Sequence, residues 1–201
     1  MTQTLSLFPD EPDQNWPSGL YFDDQFLPPA EQNQLKVNID ERMWSRELKR
    51  RVQQYGFRYD YRTQRIDSSM AIGELPPFAM PITDRLESNP SFGKRPDQLI
   101  VNEYLPGQGI AAHIDCESCF QERVAILSIG WAYDMEFRHI ESSSVFILNL
   151  APGSLVILAG EVRYRWTHQI RPRNHDRGIP RQRRLSMTFR NVILAPRMTR
   201  Q

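Results

Sequence analysis

The chain has 201 residues, a formal net charge of +1 and a 40% hydrophobic content. That length suits one domain that buries most of its core without cross-links. With only Cys116 and Cys119, a secreted disulfide scaffold is disfavoured. No stretch approaches membrane-spanning length and the start lacks the regions of a secretory signal, so no membrane partner is expected and the expected location is cytoplasmic.

Charge is unevenly placed. Residues 1–40 hold seven acids and one lysine, whereas residues 160–201 hold eleven arginines against Glu161 and Asp176. Such a basic half can hold phosphates, or it is simply a solvated arginine-rich surface. Residues 1–18 are polar and rich in proline, and read as a flexible leader to a single domain over 19–201. Leu20 to Phe22 reads as a short strand broken by Pro28-Pro29. Over 41–55, Met43, Trp44, Leu48, Val52 and Tyr55 recur at roughly helical spacing, and Asp40 suits the cap of such a helix. Tyr55, Phe57, Tyr59 and Tyr61 then alternate as in a strand, interleaved with Arg58, Arg62 and Arg65. Gly73 and Pro76-Pro77 mark a following loop or lid. Aromatics with arginines can stack bases, or can cover a core edge while the arginines face water. Residues 81–88 suit a short helix.

From Leu99 the pattern turns to strands: 99–104, 124–129, 134–139, 145–150, 154–158, 166–170 and 184–192. Short strands split by Pro/Gly turns predict an all-β double-sheet barrel with flanking helices. No phosphate loop, dinucleotide fingerprint or internal repeat is found.

Chemistry concentrates in this half. His113 and Asp115, two apart on an extended chain, face the same way. With His168 they make two histidines and one carboxylate, a set that leaves three positions of an octahedral Fe(II) open for a 2-oxo acid and oxygen. The triplet alone is weak: His139 with Glu141, and His175 with Asp176, are rival sets. The stronger signal is the run 184–190, where Arg184, Ser186, Thr188 and Arg190 alternate with Leu185, Met187 and Phe189. A polar row facing a barrel interior needs a polar ligand, and an arginine fork suits a carboxylate. The alternative is an edge strand with a solvated polar face. Cys116 and Cys119 have the spacing of a redox pair or half a zinc site, but no second pair follows and a disulfide is not favoured.

Asn102 through Asp115, Gly160 through His168 and Arg184 through Arg190, in that order, resemble the AlkB-type Fe(II)/2-oxoglutarate dioxygenases. The resemblance is clear over 97–192 and looser over 19–96. It implies a double-stranded β-helix (jelly-roll) fold, with 97–192 as catalytic core and 19–96 as support and substrate lid. It implies Fe(II) on His113, Asp115 and His168, with 2-oxoglutarate and O2 as co-substrates. Arg184 would pair with the distal carboxylate, Arg190 would lie near the metal-bound end, and Asn102 and Tyr104 would add hydrogen bonds. Ser186 departs from the asparagine of some members. The implied products are succinate, CO2 and a hydroxylated carbon, which on an N-methyl group falls apart to formaldehyde and the bare base.

The resemblance also implies a partner: an alkylated or modified base in DNA or RNA, flipped or taken from a single strand. Glu117 and Arg163 are the base-facing candidates, Tyr59, Tyr61 and Arg65 lid contacts, and Arg171 and Arg173 part of a phosphate-binding rim. The segments around Tyr55-Gly56-Phe57 and 95–120 look nearest to the dioxygenase domain of tRNA wobble-uridine hydroxylases. The 201 residues leave no room for the RNA-recognition and methyltransferase domains of those proteins. Base demethylation is therefore the main expectation, by a monomer. Hydroxylation of a tRNA base, or oxidation of a protein side chain, is the alternative.

Overall fold

A computed structural model describes residues 16–194; most of the expected leader lies outside them. In chain order the first elements are β1 (Leu20–Asp23), α1 (Pro29–Asp40), β2 (Val52–Tyr55), α2 (Met80–Ser88) and β3 (Gln98–Tyr104). Then come β4 (Ile110–His113), β5 (Val124–Ile129), β6 (Tyr133–His139), β7 (Val145–Leu150) and β8 (Leu155–Leu158). The last are α3 (Gly160–Arg165), β9 (Trp166–Ile170), β10 (His175–Asp176), β11 (Ile179–Pro180) and β12 (Arg184–Arg190).

The described strands build a six-stranded antiparallel sheet, ordered β1-β8-β5-β12-β3-β2, a four-stranded one, ordered β4-β9-β6-β7, and a two-stranded ribbon of β10 and β11. This is the expected double-sheet barrel with flanking helices. Strand alternation divides the large sheet between two cores. Leu99, Val101, Leu127, Leu185, Met187 and Phe189 point outward, under Leu35 and Ile39 of α1 and Ile82 and Leu86 of α2. Tyr104, Ile126, Val156 and Leu158 point inward, against Tyr133, Met135 and Phe137 of the small sheet.

Two features differ from the sequence expectation in the first half. Pro28-Pro29 does not break structure but begins it: Pro28 is the N-cap of α1 and Pro29 its first residue, where a missing N–H is harmless and a fixed φ is pre-set. The helix expected over 41–55 is absent. Its stretch is irregular until β2, Met43 is 94% exposed, and Asp40 ends a helix rather than capping one. Only Leu35 and Ile39 are buried apolar positions in α1, so its periodicity is faint. Between β2 and α2 the chain is held by isolated bridges, Phe57 to Ala71 and Asp60 to Arg65.

A third small cluster joins that segment to the site. Ile66, Phe57 and Tyr59 pack on Phe120, Val192 and the Cys116–Cys119 pair. The two cysteines form a disulfide, which corrects the sequence reading. The turn after Asp115 brings them together, as Cys119 and Phe120 both donate backbone N–H groups to the Cys116 carbonyl.

Candidate metal and co-substrate site

His113 ends β4 and pairs across the sheet with His168 of β9. The two strands can approach because Gly109 precedes β4: a Cβ there would sit 2.1 Å from the Ile170 carbonyl oxygen. The ring centroids of His113 and His168 lie 4.4 Å apart. His113 Nδ1–H donates to the Ala111 carbonyl at 2.8 Å, which leaves its Nε2 lone pair free to bind. Asp115 follows just beyond the strand, with Oδ2 3.7 Å from His168 Nε2. Donor atoms of the three residues all lie within 4.8 Å of one another. The rival sets are engaged elsewhere: His139 Nδ1 accepts from the backbone of a turn, and Asp176 is held by Arg173 and Arg181.

Electrostatics prepares the group for a cation. Burial alone would raise the Asp115 pKa, but Arg190, both histidines and Arg163 outweigh it and hold the carboxyl well below its ordinary range. Burial, with His113 next, pushes His168 down to about 3. At neutral pH the group therefore offers a carboxylate and a neutral imidazole, the forms that ligate metals. Arg190 Nη2 donates to Asp115 Oδ1 at 2.5 Å, and its guanidinium lies 4.5 Å from the Phe120 ring centroid. Arg163, 2% exposed, donates to the Asp115 carbonyl at 2.9 Å. Both arginines thus orient Asp115, one by its carboxylate and one by its backbone.

A cavity of about 340 Å³ opens beside these donors. Asn102, Tyr104, Ser186, Thr188 and Arg190 line it, together with Tyr59, Tyr61, Arg50, Ile126 and Met135. The polar row of β12 therefore faces inward, as its alternation implied. Arg184 sits behind this lining, fully buried between Tyr104, at 5.4 Å, and Tyr133, at 5.9 Å. Its Nη2 bonds Ser128 Oγ at 2.8 Å. Burial lowers its pKa to about 10, so it stays charged at neutral pH.

The residues present fit a metal and a dicarboxylate. Asp115 Oδ2 and Arg184 Nε and Nη1 are buried and have no hydrogen-bond partner among the described residues. A buried carboxylate oxygen beside two imidazoles suits a divalent cation, and a buried guanidinium without an acid suits a carboxylate.

The expected substrate contacts divide. Tyr59 and Tyr61 wall the cavity as perpendicular rings, 5.1 Å between centroids. Arg65 is exposed and paired with Asp67, and Glu117 is exposed and outside the lining. Arg163 is buried under the Asp115 turn rather than facing the cavity. Arg171 is forked onto Glu136, and Arg173 onto Asp176 with Asp134 nearby. These two are tied into protein ion pairs rather than presented as a free phosphate rim. Sequence reasoning missed Arg50, whose Nε donates to Asn102 Oδ1 at 2.8 Å. The next residue, Arg51, forks onto Glu103 on the opposite face of β3. That split is the alternation of an extended chain, invisible while 41–55 is read as a helix.

Residues 19–190 match the sequence model of the 2OG-Fe(II) oxygenase superfamily. The chain is 37% identical, over 87% of its length, to the "Alkylated DNA repair protein ALKBH8 homolog" of Arabidopsis thaliana. It is 34% identical, over 80% of its length, to the "tRNA (carboxymethyluridine(34)-5-O)-methyltransferase ALKBH8" of Mus musculus. It spans 58% of the first protein and 25% of the second. Its fold matches that of OsALKBH1 with a TM-score of 0.67 at 18% identity, covering 89% of this chain and 99% of that one. The chain belongs to the 2OG-Fe(II) oxygenase superfamily, with AlkB-type relatives. It is a dioxygenase that uses Fe(II), 2-oxoglutarate and O2.

Proposed function

We propose that this dioxygenase oxidises a C–H bond on a modified base of DNA or RNA, and that an N-methylated base is thereby demethylated with release of succinate, CO2 and formaldehyde. The observation that carries this reading is the cavity beside the donor group: about 340 Å³, with Tyr59 and Tyr61 in its wall. A cavity of that size admits one flat group of a larger molecule and not a folded chain. Perpendicular tyrosines present both a face and an edge to a planar ring. A base in a polymer reaches such a cavity by leaving its stack.

Bound Fe(II) with 2-oxoglutarate and O2 would supply the oxidising chemistry. His113, Asp115 and His168 would hold the metal. Arg184 would hold the distal carboxylate of the co-substrate, with Tyr104 and Asn102 along its length. Arg190 and Arg163 keep Asp115 aimed. Ile126 and Met135 give part of the cavity an apolar wall.

Hydroxylation of a modified tRNA base is the second reading, favoured by the name of the Mus musculus relative, which refers to a tRNA carboxymethyluridine. Mass analysis separates the readings after incubation with Fe(II), 2-oxoglutarate, O2 and methylated single-stranded DNA, RNA or tRNA. Loss of a methyl group matched by succinate and formaldehyde supports demethylation. Gain of one oxygen supports the second reading. No nucleic-acid product, with metal and co-substrate bound, overturns both and points to a protein substrate.

A further inference from the structure

Two arginines line the cavity, and they are not equivalent. Arg190 is neutralised by Asp115. Arg50 has no acidic partner among the described residues. Its Nε is docked on the neutral Asn102 at 2.8 Å, and its guanidinium carbon lies 5.8 Å from the Tyr104 ring centroid. That anchoring sets the direction of the planar fork and leaves its Nη1 and Nη2 donors without an acceptor among the described residues. Arg50 is only half-buried, so its fork stays open to solvent, unlike that of the fully buried Arg184. Neighbouring Arg51, by contrast, is spent on Glu103. Among the described residues, Asp115 is the only acidic one in the same lining, and it is already engaged by Arg190. The cavity thus carries a second cationic anchor besides the buried Arg184, pre-oriented and unneutralised.

We infer that Arg50 is a specificity-determining residue that receives an anionic oxygen group of the substrate. The inference rests on the nucleic-acid reading above and assigns to that reading a recognition element. The anion is either a carboxylate carried on the modified base or a backbone phosphate next to it. A guanidinium fork binds both in the same two-point manner.

The test is a binding measurement on the full chain loaded with Fe(II) and 2-oxoglutarate without oxygen. One probe is an unmodified single-stranded oligonucleotide, which has phosphates and no carboxylate. The other is the nucleoside 5-carboxymethyluridine, which has a carboxylate and no phosphate. Arg50→Gln should weaken one probe by about tenfold or more, the scale of a lost charge-assisted hydrogen bond. Arg50→Lys should restore part of the loss, and the affinity for 2-oxoglutarate should stay within about twofold. A loss confined to the oligonucleotide names phosphate as the anion, and one confined to the nucleoside names carboxylate. Wild-type binding that Arg50→Gln leaves unchanged overturns the inference alone. Weakened 2-oxoglutarate binding also overturns it, by making Arg50 a support for Asn102. If the wild-type protein binds neither probe, the nucleic-acid reading falls, and this inference with it.

Discussion

Residues 171–183 and residues 184–190 are adjacent in sequence and similarly rich in arginine, yet they handle the charge in opposite ways. In the first stretch the guanidiniums meet protein carboxylates. Arg171 holds Glu136, Arg173 and Arg181 hold Asp176, and Arg183 holds Glu103 and Asp40. In the second, Arg190 secures Asp115 and Arg184 meets no acid among the described residues. A paired arginine is structural, while a buried arginine without an acid is a place for a ligand's acid. Composition alone cannot separate the two.

The sharpest way to break this contrast is Arg184→Gln. Co-substrate affinity should fall by about a hundredfold or more, as when one partner of a buried charge pair is removed. Thermal stability should hold or rise, because a buried cation without a partner has been taken away. Isothermal titration with 2-oxoglutarate and a melting curve check both halves, and unchanged affinity would remove Arg184 from the site.

Arg181→Gln should do the reverse. Its side chain is fully buried on Asp176 and lies 4.1 Å from the Tyr133 ring centroid. Leaving Asp176 with one arginine fewer should lower stability by about 3 kcal/mol in denaturant titration. Once the variant is folded, its co-substrate affinity should match the wild type.

A pH titration sharpens the same point. Burial alone would raise the Asp176 pKa, but its bonds to Arg181 and Arg173 outweigh this and hold the carboxyl below its ordinary value. The folded pKa thus lies below the unfolded one. The stability it contributes is complete above the unfolded value of about 4 and is lost as pH falls through the folded value. The wild type's stability advantage over Asp176→Asn should therefore be constant at neutral pH and shrink below about pH 4. An advantage that persists undiminished into strong acid would show that the ion pair is not its source.

The smallest effect belongs to Arg171→Gln with Arg173→Gln. Because both are already tied to carboxylates, the salt dependence of nucleic-acid binding should change by less than about one unit of slope per arginine removed. A larger change would return this segment to the role of a phosphate-binding rim.

These pairings explain what could be read in advance. Seven strands between 98 and 190 announce themselves by alternation and by Pro/Gly turns, and the two faces of β12 follow from the same period, whereas the short β4, β10 and β11 carry no such pattern. The pairing of the 171–183 arginines does not. Asp40 lies 143 residues before its partner Arg183, and Glu103 lies 80 before it. No local pattern joins them; only the folded sheets do. Helix α1 was masked because a Pro-Pro pair reads equally as a break and as a start. The Cys116–Cys119 link was masked because its spacing suits several chemistries, and only the turn around the Cys116 carbonyl selects one.

Strand β12 lies between β3 and β5 in the large sheet, so its seven residues serve two clients at once. Leu185, Met187 and Phe189 belong to the outer core, while Ser186, Thr188 and Arg190 belong to the cavity. A slip of one residue in its register would exchange the two sets, putting arginines under the helices and apolar groups beside the metal donors. The strand is thus a text legible in only one reading frame. Variation in this protein has freedom to add or delete residues in its turns, but none to do so along this line.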